Sequence, residues 1–149
     1  MALLNGFKIQ QGQWTYKSRL TTASTAIERQ DALKTTSGKL LVATTSAKLD
    51  GVANEVKLVG DSATTAIQYI MAYSGRTRWL AGEKGATSIA ATDEGALVDL
   101  KGSTGAMGFD SNVNTNKDIF IDKVKVAGAI NVGEAIIVFG DPSWHHATN

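Results

Sequence analysis

Short apolar runs separated by turn signals dominate the chain from residue 27 onward. The stretch DALKTTSGKLLVATTSAKLDGVANE, from Asp31 to Glu55, sets such runs between Ser37-Gly38 and Asp50-Gly51. Glycine tolerates positive φ, and Asp-Gly is a strong short-range hairpin signal. The pattern predicts a strand over KLLVATT with a turn on each side, and a further strand over EVKLVG.

The richest apolar run is TTAIQYIMAYSG. It is rich in β-branched and aromatic residues, which favours a strand over a short helix. Alternation places Ile67, Tyr69 and Met71 on one face of that strand. The following segment, RTRWLAG, comes directly after Ser74-Gly75 and is predicted to be its hairpin partner.

Residues 81–118 are rich in Gly, Ala, Ser, Thr and Asn. We expect a short helical turn near ATDEGA and a strand over ALVDL. The remainder of this region is predicted to form long loops, which in small domains tend to carry function.

The last third alternates clearly in DIFIDKVKV, and AINVGEAIIVFG carries a turn at residues 131–133 before the strand AIIVF. Such short connections imply antiparallel pairing. No long helical period is visible. The predicted class is all-β, a small antiparallel β-barrel or β-sandwich with an extended N-terminal arm and long loops.

Residues 1–26 follow no clear pattern, apart from one short strand predicted around Trp14 to Arg19. We interpret 1–26 as an N-terminal arm or irregular segment and 27–149 as one β-domain. The apolar side chains Phe7, Ile9, Trp14 and Tyr16 of this segment then either fold back on the body or dock on a partner.

The composition of the chain argues for a globular domain and against some classes of function. A chain of 149 residues with 43% hydrophobic and 19% charged residues is typical of a globular domain. Its net charge of +1 shows no basic excess, so no nucleic-acid partner is expected. The cluster GRTRW, Gly75 to Trp79, either meets a base or phosphate or, as we favour, forms a strand with outward arginines.

The chain contains no cysteine, which suits a reducing cytosol. The apolar start of MALLNGFKIQ is too short for a signal peptide, and no run approaches the length of a membrane span. We therefore expect a protein that is made and used in the cytoplasm, or released by lysis rather than secretion, with no membrane partner.

Reactive side chains are few. His145 and His146 in GDPSWHHATN point to opposite sides of an extended chain, and there is no other histidine, so no metal site is expected. Ser143 lies near the histidines, but no nucleophile elbow surrounds it. GEKGATS lacks the Gly-Lys-Ser/Thr end of a phosphate-binding loop. The acidic turn DEG has no second carboxylate that the sequence places opposite it. We predict no cofactor and no enzyme, with a small enzyme using the histidine tail as an alternative.

The segments RQDALKTTSGKLLVATTSAKLDGVANE and VGEAIIVFGD resemble the small β-barrel proteins that decorate tailed-bacteriophage heads. The similar parts are Asp31 to Leu33, Ser37 to Leu40, Ala43-Thr44 and Gly51 to Ala53. Gln30-Asp31 stands where that group usually has Gly-Asp.

The resemblance implies a capsid decoration (cement) protein on the outer capsid surface of a virion. Such a protein clamps neighbouring major capsid subunits, usually as a homotrimer. The alternative is a phage tail or fibre protein or a carbohydrate-binding β-module, with Trp79 or Trp144 as the sugar platform. Under the decoration hypothesis the expected partner contacts are aromatic and arginine side chains, each with ordinary intrachain packing as its alternative: Phe7, Trp14, Tyr16, Arg76, Arg78, Trp79 and Trp144.

Overall fold

Eleven strands and one 3₁₀ turn make up the regular structure of the computed structural model, which describes residues 4–22, 24–43, 49–60, 65–72 and 77–140. The all-β class predicted from the pattern is confirmed. The 3₁₀ turn covers Ala91–Asp93, inside the segment predicted to form a helical turn. The strands are β1 (Lys8–Gly12), β2 (Tyr16–Leu20), β3 (Ala32–Thr36), β4 (Lys39–Val42), β5 (Gly51–Ala53), β6 (Ala66–Met71), β7 (Thr77–Gly82), β8 (Leu97–Ser103), β9 (Ala106–Asp110), β10 (Ile119–Val126) and β11 (Glu134–Phe139).

Six strands form one antiparallel sheet in the order β1-β7-β11-β10-β8-β9. A parallel bridge joins Glu83 to Phe109, and the Lys84 N–H donates to the Phe109 carbonyl at 2.7 Å. These bonds bring the end of β7 to β9, so the sheet curls back on itself. The predicted β10–β11 hairpin is confirmed, and its turn holds Asn131 at a φ of 63°.

The other five strands form a second antiparallel sheet in the order β2-β6-β5-β3-β4. A parallel bridge between Thr21 and Leu40 brings its two outer strands together. The predicted turn at Ser37-Gly38 is confirmed between β3 and β4, and both residues have positive φ. This sheet is therefore curled as well.

The main hydrophobic core lies between the sheets. It contains Val52 and Ile70 from the five-stranded sheet and Trp79, Ile137 and Phe139 from the six-stranded one. A smaller cluster fills the inside of the five-stranded sheet with Ile27, Leu33, Leu40, Ala53, Ile67 and Tyr69. Because the larger cluster takes side chains from both sheets, the two sheets pack as layers around shared apolar surface.

The N-terminal segment, predicted to be an arm or irregular, contributes a strand to each sheet. β1 pairs with β7, and β2, which overlaps the strand predicted around Trp14, pairs with β6. Phe7 enters the main core, where it is 1% exposed. The segment folds back on the body because both strands find sheet edges and the Phe7 ring finds apolar neighbours.

The interpretation of Asp50-Gly51 as a hairpin turn is wrong. Gly51 is the first residue of β5 and lies opposite Met71 of β6. A Cβ at this position would overlap the Ile70 carbonyl oxygen and the Tyr69 ring. Glycine is required here for close packing of the backbone, which sequence alone does not separate from a turn.

Three further predictions need correction. β6 and β7 are not hairpin partners, because they belong to different sheets; the expected turn at Ser74-Gly75 lies outside the described residues. EVKLVG forms only an isolated bridge between Lys57 and Ile27. The region expected to be mostly loop contains β9, which forms a hairpin with β8; its alternation is hidden by small residues.

Replacing Gly51 with alanine should cost at least about 2 kcal/mol of unfolding free energy, since the new methyl group meets backbone that cannot yield cheaply. Gly38→Ala is the matched control: Gly38 has a φ of +79° but open space around it, so about 1 kcal/mol of backbone strain is expected. Denaturant unfolding measures both. An equal or smaller loss at Gly51 would contradict its placement in β5.

Candidate functional site

Two exposed aromatic side chains stand on the N-terminal strands. Trp14, between β1 and β2, is 41% exposed, and Tyr16, the first residue of β2, is 48% exposed. Leu20, at the other end of β2, is also exposed. A pocket of about 490 Å³ lined by residues 12–15 opens beside the Trp14 ring. These three side chains, Trp14, Tyr16 and Leu20, are called the β2 surface below.

The backbone under the β2 surface is fixed by hydrogen bonds. The Met71 N–H donates to the Thr15 carbonyl at 3.0 Å, and the Thr77 hydroxyl donates to the Gln13 carbonyl. β2 itself pairs with β6 along its whole length. The aromatic side chains are therefore presented from an ordered strand and an anchored connection.

A second exposed apolar group surrounds Lys57. Val56, Leu58 and Val59 are 47%, 62% and 68% exposed, whereas Lys57 is 1% exposed. The Lys57 ammonium donates to the Thr25 carbonyl at 2.9 Å and to the Leu58 carbonyl at 3.1 Å. Lys57 is turned inward by these acceptors, and its apolar neighbours therefore face outward, the reverse of the usual pattern.

Phe7 and Trp79, predicted as partner contacts, lie in the core and are each 1% exposed. The Phe7 and Phe139 ring centroids are 4.8 Å apart, and Trp79 meets the same Phe139 ring edge-on at 5.5 Å. Phe7 and Trp79 therefore pack within the chain, which was the alternative to a partner contact. A buried Trp79 also offers no flat surface to a sugar.

Among the remaining predicted contacts, the structure describes Arg78 but not the others. Arg78 lies on β7 and is partly exposed, and its guanidinium is 3.3 Å from an Asp122 carboxylate oxygen. The sequence favoured an outward arginine here. Arg76, Trp144 and the histidine pair His145-His146 lie outside the described residues. Of the predicted contacts, Trp14 and Tyr16, two residues apart in the chain, are thus the ones that the structure leaves strongly exposed.

A buried carboxylate holds the closure of the six-stranded sheet. Glu83, fully buried after β7, accepts hydrogen bonds from the Gly85 N–H at 2.9 Å, from the Ser111 N–H at 3.2 Å and from the Ser111 hydroxyl. Burial raises the pKa of Glu83, although the hydrogen bonds from Ser111 and Gly85 oppose that shift. Glu83 thus ties the end of β7 to the loop after β9.

Neither the role of Glu83 nor the exposure of Val56, Leu58 and Val59 is predicted by the sequence pattern. For Val56 and Leu58, alternation only indicated that they share a face opposite Lys57, and it gave no reason for the charged face to point inward. For Glu83, the signal that the sequence offered was a pair of charged residues, Glu83 and Lys84, directly after an apolar strand.

Within the described ranges, no group of three or more histidine, cysteine or acidic side chains is placed to hold a metal ion. None of the helical structure seen in those ranges is long and apolar enough to cross a lipid bilayer. Comparison of the chain with protein-family models, with curated proteins and with solved structures found no match in any of the three.

The pH dependence of stability should carry the signature of Glu83. Because the folded pKa is raised, the folded state holds this proton more tightly than the unfolded state does. The stabilisation is present at low pH and is lost as pH rises through the folded pKa. Relative to Glu83→Gln, the wild-type free energy of unfolding should therefore fall as pH rises above about 4, the region of an unperturbed glutamate pKa.

Urea unfolding at each pH measures this difference, and the Glu55→Gln variant at an exposed position is the control for removing one negative charge. A wild-type advantage over Glu83→Gln that grows with rising pH would mean that the hydrogen bonds to the carboxylate outweigh its burial.

Proposed function

We propose that the protein is a structural virion protein that decorates and stabilises a bacteriophage capsid. In this role it binds the outer capsid surface as a homotrimer and clamps neighbouring major capsid subunits. The observation that carries the proposal is the β2 surface, where Trp14 and Tyr16 remain exposed on a strand paired along its length. Aromatic side chains of this kind are frequent anchors of protein–protein interfaces.

The fixed backbone of the β2 surface favours tight binding. An anchor on a free arm must be ordered when it binds, which costs conformational entropy. Tyr16 and Leu20 instead lie on a strand that is hydrogen-bonded in the isolated chain, and Trp14 lies in an anchored connection. The loss of entropy on docking is correspondingly small.

The second apolar group provides further contact area. Val56, Leu58 and Val59 expose branched side chains around an inward lysine, an arrangement that lowers solubility unless it is covered. In a homotrimer each such surface is repeated three times by symmetry. Several modest contacts to neighbouring subunits then add up through effective concentration.

A tail or carbohydrate-binding module is the second candidate. Trp79 is buried, so the exposed ring of Trp14 beside its pocket takes over the role of sugar platform in that alternative. A glycan array separates the two candidates. The decoration hypothesis predicts no glycan binding, and saturable binding that disappears in Trp14→Ala would favour the carbohydrate-binding module.

The decoration hypothesis predicts that the wild-type protein binds expanded shells lacking it, saturably, and raises their resistance to heat. The double variant Trp14→Ala/Tyr16→Ala should bind those shells at least about ten-fold more weakly, since buried aromatic anchors typically contribute 2 kcal/mol or more. The shells are assembled from a candidate major capsid protein, and binding is measured by co-sedimentation.

Val113→Ala is the matched control, because Val113 is an exposed apolar residue in the loop after β9. Both variants should unfold cooperatively near the wild-type temperature. If the wild-type protein neither binds shells nor alters their melting, the decoration function is rejected. If wild type binds and the double variant binds equally well, the β2 surface is not the contact.

A further inference from the structure

A small pocket at the end of the six-stranded sheet is lined by a buried lysine residue, Lys84. The pocket has a volume of about 330 Å³ and lies between the residues before β1, the β8–β9 hairpin and the β10–β11 turn. Lys84 lines it with only 7% of its surface exposed. Its aliphatic stem lies over Gly108, where a Cβ would come within 2.9 Å of the Lys84 Cγ.

The Lys84 ammonium has neutral partners. It donates to the side-chain oxygen of Asn5 at 2.6 Å and to that of Asn131 at 3.0 Å. Among the described residues, no carboxylate forms an ion pair with it. An ammonium has three N–H donors, so one donor remains for a ligand. A buried cation with only amide acceptors is costly, and an anion would offset that cost.

The two asparagines are oriented by the same bonds. An ammonium only donates, so Asn5 and Asn131 must turn their oxygens toward Lys84, which leaves their NH₂ groups as donors. Asn131 is further fixed by its left-handed backbone and by its N–H, which donates to the Glu83 carbonyl at 3.0 Å. Lys84, Asn5 and Asn131 thus all offer hydrogen-bond donors to a ligand in the pocket.

The charge around the pocket fits a ligand with one negative charge. Lys101 also lines the pocket, but its ammonium lies 3.2 Å from an Asp110 carboxylate oxygen and is already paired. Lys84 therefore supplies the net positive charge. Burial lowers the pKa of Lys84, and a bound anion would hold the amine protonated.

The rest of the lining is apolar or small. Gly102 and Ala106 line one side, and Ile130 at the tip of the β10–β11 turn is 51% exposed. A ligand that combines a monoanionic end with an apolar portion would meet Lys84 and cover Ile130 at once. A carboxylate carried on an extended peptide has both features, whereas a phosphate dianion has twice the charge and no apolar portion.

We propose that this pocket binds the C-terminal carboxylate of a partner protein's chain through Lys84, Asn5 and Asn131. The proposal concerns a surface separate from the β2 surface and does not depend on the capsid function.

The test is a titration of the isotope-labelled full chain with N-acetyl-alanyl-leucine, which ends in a free carboxylate, followed by NMR. Saturable shifts are expected for the side-chain NH₂ groups of Asn5 and Asn131 and for the Gly102 amide. The C-terminal amide of the same peptide should bind at least about ten-fold more weakly, since hydrogen bonds to charged groups contribute about 1.5–3 kcal/mol. Acetate should bind more weakly than the peptide, because it cannot cover Ile130.

Two variants separate binding from folding. Lys84→Met keeps the length of the side chain and should abolish the shifts. Asn131→Asp gives Lys84 an internal carboxylate at a position whose backbone aspartate tolerates, so it should block the peptide while leaving the thermal midpoint equal to or above that of wild type. Lys125→Met, at an exposed position on β10, should bind as wild type does.

Equal binding of the free-acid and amidated peptides, or no saturable shift with either, would overturn the proposal. Tighter binding of inorganic phosphate than of the peptide would overturn the assignment to a carboxylate. Acetate binding as tightly as the peptide would show that the pocket serves free small acids rather than a peptide. Unchanged peptide binding in Asn131→Asp would also contradict the site.

Discussion

The relative position of the two sheets depends on one junction, where the residues before β1 meet the start of β3 and the β8–β9 hairpin. The Gly6 N–H donates to the Met107 carbonyl at 2.8 Å, and the buried Asp31 carboxylate accepts the Gly105 N–H at 2.9 Å. Burial raises the pKa of Asp31, against the opposing effect of its backbone hydrogen bonds. The Asp31 bond joins the start of β3 in the five-stranded sheet to the β8–β9 hairpin of the six-stranded one, and the Phe7 N–H donates to the Gln30 carbonyl at 3.0 Å, which joins the start of β1 to the residues before β3. The relative position of the two sheets follows from these two bonds, whereas the Gly6 bond holds the N-terminal residues to β9 within the six-stranded sheet.

The placement of the exposed surfaces follows from that junction. Phe7 comes directly after Gly6 and packs against Phe139, so β1 begins on the six-stranded sheet. Three residues after β1 the chain enters β2 on the other sheet, and this crossing carries Trp14 and Tyr16 to the outside. The same junction places Asn5 beside Lys84. Both proposed binding surfaces thus rest on how the N-terminal segment is anchored.

Local signals in the sequence predicted the class, the Ser37-Gly38 turn and the β10–β11 hairpin, because alternation and turn residues act over a few neighbours. Which side chains are buried and which are exposed was harder to predict, because it depends on contacts between residues far apart in the chain. Composition does not distinguish Phe7, which finds the Phe139 ring, from the exposed Trp14. The inward turn of Lys57 depends on the Thr25 carbonyl, 32 residues away in the chain.

Amide hydrogen exchange in the isolated protein tests most directly whether the N-terminal segment is built into the fold. The β2 amides that bond to β6 should be protected and should open together with the β6 amides, because the two strands form one ladder. Exchange of residues 16–20 at the rate of an unstructured chain, with β6 still protected, would mean that the segment is a free arm and would contradict this account.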